Sequence, residues 1–201
     1  MPTKPLTRKG AETRGRIVTG AAAEIRERGV AEVRLEDVMA RTRTSKSQLF
    51  HYFPGGKDEL LLAVARHEAD QVLDDQQPML SELTSWPAWQ AWRDRVVERY
   101  LAQGTECPLS MLLGQLGRSP AAQAVVTELL RHWQDELTAG IRHMQSIGEI
   151  AGTVDPVRAS SALLAGVQGG VLMMLTTGQI SHLEASLDMM LASLRSRDVP
   201  A

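Results

Sequence analysis

Residues 42–57 read TRTSKSQLFHYFPGGK. Ser45 is a residue type that caps a helix start, and the residues after it end in an aromatic cluster. Pro54-Gly55-Gly56 then stops the segment. A short third helix is therefore expected from Lys46 to Phe53, with Leu49, Phe50 and Phe53 turned inward and Lys46, Gln48, His51 and Tyr52 left available. Upstream, Leu35–Thr42 reads as a short helix with Leu35, Val38 and Met39 on one face. Before it, Glu12–Arg28 carries Ile17, Ala21, Glu24/Ile25 and Arg28 spaced by three or four, with Gly29 as its stop. Two short helices separated by Arg43, Thr44 and Ser45 form a helix-turn-helix, whose second helix can enter a DNA major groove. The same geometry also suits a capped surface helix with no partner, so spacing alone does not decide.

The totals narrow the classes. A chain of 201 residues with 43% hydrophobic and 23% charged residues can bury a sizeable core. Two Phe and two Tyr among abundant Leu, Ala, Val and Met favour helices over a β-sandwich. The single Cys107 can form no internal disulfide, which suits a reducing cytoplasm. No apolar run is read as approaching the roughly 18–20 residues of a membrane span. The basic start, MPTKPLTRKGAETRGR, leads into no apolar core of a secretory signal. Charge is divided: residues 1–53 hold eleven Lys/Arg against six Asp/Glu, and the remainder eleven against eighteen. A basic head on an acidic body fits a polyanion held by the head alone, although scatter along a mixed-charge chain produces the same totals.

Beyond the break, helices are expected at Lys57 to about Asp75, Ala88–Gln103, Cys107–Leu116, Ala121 to about Ile147, Pro156–Thr177 and Ile180–Arg195. Pro78 and Pro87 interrupt the chain between the first two, and Asp155-Pro156 reads as a cap followed by a first-turn proline. No segment alternates well enough to be a strand. The fold class is all-α, with about nine helices: a three-helix head and a C-terminal helical domain.

The stretch LEDVMARTRTSKSQLFHYFPGGKDEL resembles the DNA-binding signature of the tetracycline-repressor (TetR) family of regulators. Asp37, Val38, Ala40, Ser45, Leu49, Phe50, Tyr52, Phe53 and Lys57 fall on that pattern, and the upstream helix ending at Gly29 matches as well. The resemblance covers residues 12–66 closely and the rest in plan only. Gly55-Gly56 before Lys57, with Cys107-Pro108 further on, is similar to the subgroup of lincomycin- and multidrug-resistance regulators. Residues 1–10, with two Pro and no apolar period, read as a flexible basic arm, and the resemblance implies a DNA-binding domain (11–56) and a ligand-binding and dimerisation domain (57–201). It implies DNA contacts from Arg14, Arg34, Arg43, Thr44, Ser45, Lys46, Ser47, Gln48, His51, Tyr52 and Lys57. Helix N-termini at Ser45 and Lys57 would add phosphate-binding N–H groups. Two positions depart from the pattern. Arg43 stands where the turn carries Gly, and Arg34 stands where a Ser or Thr would cap the second helix.

For the C-terminal domain the resemblance implies a homodimer and a small-molecule effector. Candidate pocket residues are Trp89, Trp92, Met111, Leu112, Gln115, Trp133, Met144, Gln168 and Met173, each of which is also an ordinary core residue type. Ala162, Ala165, Gly166, Gly169, Leu183, Leu187 and Met190 combine small and apolar types that permit close helix approach, as an interface or as an internal core. His67, His132, His143 and His182 are dispersed without metal-ligand spacing, so neither a metal nor a cofactor is expected. No nucleophile elbow, phosphate loop or carboxylate pair appears, and the chain is not expected to be an enzyme. The function expected is a regulator, most often a repressor, released from a palindromic double-stranded DNA operator by a small apolar effector in the cytoplasm. The rival is a helical ligand-binding or dimeric scaffold protein that no longer reads DNA.

Overall fold

A computed structural model of the chain describes residues 6–104, 109, 112, 116–117 and 119–195. The first helix starts earlier than its apolar spacing predicts. Thr7 accepts the Gly10 N–H at its hydroxyl, 3.2 Å away, and this cap starts α1 at Arg8 (Arg8–Arg28). Gly29, with φ +80°, ends it. The next elements follow the expected bounds closely: α2 (Leu35–Thr42), α3 (Lys46–Tyr52) and α4 (Lys57–Asp74). A 3-10 turn, Met79–Glu82, precedes α5 (Trp86–Gln103). Pro87 does not break that helix, because Ser85 caps it and proline is tolerated in the first turn. Then come α6 (Pro120–Ser146), α7 (Pro156–Thr177) and α8 (Ser181–Arg195). The described residues contain no strand. The helix expected at Cys107–Leu116 falls largely outside them.

Two compact units organise these helices: Met1–Gln71 with Pro108–Val126, and Val72–Cys107 with Thr127–Ala201. In the first, Ile17, Ala21 and Ile25 of α1 meet Val38 of α2, Phe53 after α3, and Leu60, Leu61 and Val64 of α4. Each fully buried aliphatic side chain of this kind contributes about 1.5–3 kcal/mol. Leu112 belongs to the same core. Gly20 fixes how closely α1 approaches α2, since a Cβ there would lie 2.2 Å from the Thr42 methyl.

The second unit is built on tryptophan. Trp89, Trp92 and Trp133 are fully buried, and the first two pack edge to face at 5.9 Å. Gly140 of α6 lets Leu83 and Trp89 in, since its Cβ would sit 2.6 Å from Leu83 Cβ. α7 and α8 form a tight antiparallel pair turned by Gly178 (φ +74°). A Cβ on Gly170 would come within 2.6 Å of Leu183 Cα, and one on Gly166 within 2.6 Å of Ser186 Oγ. By length and composition, Pro156–Thr177 is long and apolar enough to cross a membrane, contrary to the expectation from sequence. Its small residues are used here to pack one face on α8.

Candidate nucleic-acid interface

The turn between α2 and α3 is set by backbone geometry. Arg43 takes φ 49° and ψ 46°, the one left-handed non-glycine among the described residues. Thr44 N–H then donates back to the Met39 carbonyl at 3.0 Å, and Arg43 N–H to Ala40 at 3.3 Å, closing the end of α2. Arginine thus adopts the conformation a glycine would adopt, at a cost of about 1 kcal/mol.

Thr44 is not a groove residue. Its side chain is buried, and its hydroxyl bonds Thr42 Oγ1 at 2.9 Å while Thr42 Oγ1 donates to Val38 O at 2.7 Å. The pair braces the turn from inside. Arg34, all donor, gives α2 no oxygen cap. Instead its backbone N–H donates to the Asp37 carboxylate at 3.2 Å, half of a capping box.

At the start of α3 the box is complete. Ser45 Oγ accepts the Gln48 N–H (3.2 Å), and Gln48 Oε1 accepts the Ser45 N–H (3.1 Å). The Gln48 carbonyl oxygen is therefore engaged, and its NH2 end is what remains for a partner. Leu49 and Phe53 are fully buried, so α3 has one fixed face. Phe50, expected inside, is 40% exposed and lies over Gly56. Lys46, Ser47 and His51 are exposed, and His51 meets the half-buried Tyr52 edge to face at 4.9 Å. Arg14 is half-buried, its guanidinium 5.1 Å from the Phe53 ring centre. Past the Pro54-Gly55-Gly56 break, Glu59 accepts the Gly55 N–H at 2.7 Å and half-buried Lys57 opens α4.

An ion network missed in the sequence holds α2 against α1. Glu24 is buried, yet it meets Arg41 at 2.6 Å and Arg28 at 3.1 Å. Arg41 also pairs with Glu27, and Arg28 with Asp37 at 3.2 Å. The hydrogen bonds Arg41 donates to Glu24 and then to Glu27 raise its pKa above the ordinary value, so Arg41 stays charged at any working pH. Spacing places Glu24 on the stripe of α1 with Ile17 and Ala21, but its pairing with Arg28 and Arg41 comes only from the fold.

The remaining expected site residues separate into distinct surroundings. Trp89, Trp92, Trp133 and Met144 are buried in the second unit. Trp92 Nε1–H donates to Gln76 Oε1 at 2.8 Å, and Gln76 Nε2 donates to Val72 O at 2.7 Å, tying α5 to the end of α4. Gln168 and Met173 are exposed on α7 and face away from that core. Met111 and Gln115 lie outside the described residues. Of the interface candidates, Ala162, Ala165 and Gly169 are exposed along α7 beside Leu172, and Met190 is half-buried. Leu183 and Leu187 are buried between α7 and α8, and Gly166 is packed there too, so these three serve the intrachain helix pair.

Residues 17–64 match the family described as bacterial regulatory proteins, tetR family. An uncharacterized HTH-type transcriptional regulator of Mycobacterium tuberculosis is 36% identical over 59 residues, 29% of this chain and 30% of the relative. That match therefore spans under a third of the relative's length. One from Lactococcus lactis is 22% identical over 196 residues, 90% of this chain and 92% of the relative. Among solved structures, a TetR-family transcriptional regulator from Cytophaga hutchinsonii superposes with a TM-score of 0.74 at 17% identity, covering 97% of this chain and all (100%) of that one. SmeT, the repressor of the Stenotrophomonas maltophilia multidrug efflux pump SmeDEF, gives 0.67 at 20% identity, with 94% and 93% covered. Residues 17–64 thus match the family of bacterial regulatory proteins, tetR family, and nearly the whole chain shares the fold of these solved transcriptional regulators.

Proposed function

We propose that this protein is a ligand-responsive DNA-binding transcriptional regulator, working in the cytoplasm as a homodimer that represses from a palindromic operator until a small effector binds. The observation that carries this is α3: a fully capped helix, anchored by Leu49 and Phe53, that turns Lys46, Ser47 and His51 outward beside the Gln48 amide. Rigid placement of a few polar side chains on a short helix is what direct base readout requires. Arg43, Ser45, Tyr52 and Lys57 are assigned to phosphate contacts that set register, and Arg14 and Arg34 to the flanking backbone. The exposed apolar residues of α7 and α8 are assigned to the dimer, which sets the spacing of two half-sites. Functionally the chain divides into a head that begins with α1 at Arg8 and runs to residue 56, and an effector and dimer domain (57–201). SmeT is a repressor that is also known in complex with triclosan, which supports a small-molecule effector here. The chain is read as a regulator with no reaction of its own.

Duplex binding is tested by gel shift with DNA flanking its gene. Salt-sensitive binding is expected, weakened by Lys57→Ala and abolished in a chain starting at residue 58. Unchanged binding by that truncated chain overturns the proposal. Retained dimerisation and ligand binding with no duplex binding by the full chain points to the scaffold reading.

A further inference from the structure

Between the start of α5 and the end of α8 lies an open cleft of about 440 Å³, within the size range of small-molecule sites. Trp86 and Pro87 of α5 line it together with Leu191, Ala192 and Arg195 of α8, and Trp89 contributes as well. Its electrostatics are lopsided. Asp188, the carboxylate among the lining residues, is neutralised by Arg93 through two bonds of 2.8 and 3.0 Å. Burial alone would lower the Arg93 pKa, but the hydrogen bonds to Asp188 outweigh it and raise the value. Arg195 has no such partner among the described residues, and its guanidinium stands 5.1 Å from the centre of the Trp86 ring. The Trp86 indole N–H is already engaged, donating to Glu149 at 2.9 Å, so the ring and not its N–H is what Trp86 offers a ligand.

We propose that this cleft binds a small planar aromatic carboxylate. Its ring lies against Trp86, Pro87 and Leu191, and its carboxylate pairs with the Arg195 guanidinium. An aliphatic ligand would leave the Trp86 face unused, and a cation would meet Arg195. The proposal names the chemical class of the effector, and so rests on the reading of the chain as a ligand-responsive regulator. Because α5 and α8 are held together at the cleft by Arg93 and Asp188, an occupant touching both helices favours one packing of α8 over another. That is the differential binding any effector response needs.

Calorimetric titration of the full chain with 2-naphthoate and with 2-naphthamide tests the proposal. The acid is expected to bind about tenfold or more tighter than the amide, as a charge-assisted pair implies. Arg195→Gln, a surface change whose fold is checked by circular dichroism, should remove most of that preference. Trp86→Leu should weaken both probes. Equal affinity for acid and amide, naphthoate binding unchanged in Arg195→Gln, or no heat from either probe up to millimolar concentration would each overturn it. Duplex binding without ligand is scored separately. Its loss with naphthoate binding retained removes the regulator reading and leaves the cleft intact, while the converse removes only the cleft.

Discussion

Arg43 shows how one residue can carry opposing effects. Its positive φ is strained for a side chain with a Cβ, so Arg43→Gly should stabilise the fold by about 0.5–1 kcal/mol. Thermal melting should move up by a few degrees. The same change removes a guanidinium assigned to phosphate, so duplex affinity should fall as stability rises. A variant that gains both stability and affinity would show that Arg43 does not touch DNA. Sequence disclosed this site fully, because the departure from glycine sits inside a recognisable turn. Glu24 is legible in position but not in role. A carboxylate on an apolar stripe is explained only by Arg41 and Arg28, and Arg41 arrives from another helix. Removing Glu24 leaves Arg41 with the exposed Glu27 as its partner and loosens α2 on α1. Thr44 was misjudged for a related reason: its position beside Ser45 says surface, and only the bond to Thr42 says interior.

At the scale of elements, the helix order and nearly every boundary were legible, since caps, prolines and glycines mark ends locally. What local signals do not encode is which face of a helix meets which neighbour. Small residues on α7 illustrate the limit. Gly166, Gly169 and Gly170 look alike in sequence, yet two of them touch α8 and Gly169 meets nothing within 4 Å. Gly170→Ala should therefore cost about 1–3 kcal/mol, because the Leu183 backbone must move away. Gly169→Ala should stabilise the isolated fold by up to about 1 kcal/mol through helix propensity. If Gly169 lies in the dimer contact, dimerisation weakens although melting improves, and ultracentrifugation separates the two effects. In α5, Trp92→Phe should cost about 1–3 kcal/mol in denaturant unfolding by leaving buried Gln76 Oε1 without its donor.

At the scale of the whole molecule the charge division becomes testable. The head is basic although the chain carries −2 overall, so long-range attraction to DNA is weak and local contacts must supply the affinity. Each phosphate neutralised contributes a slope of about −0.9 to the dependence of log affinity on log salt. Lys57→Ala removes one contact from each head and should lower the magnitude of that slope by about two, with similar loss on every sequence, whereas Lys46→Ala should alter sequence preference as well. Both effects presuppose two heads on one operator. Leu172 and Met189 are 65% and 71% exposed, large apolar side chains on the outer faces of α7 and α8, beside the exposed Ala162 and Ala165. Leu172→Glu with Met189→Glu places four like charges across a two-fold contact and should yield monomers by sedimentation. Helix content and melting should be preserved, because neither side chain contributes to the intrachain core. Operator affinity should then fall by at least tenfold, since one head retains only half the contacts, and the salt slope should approach half its original value. A monomeric variant that keeps the full slope would place all DNA contacts within a single head and remove the need for a dimer.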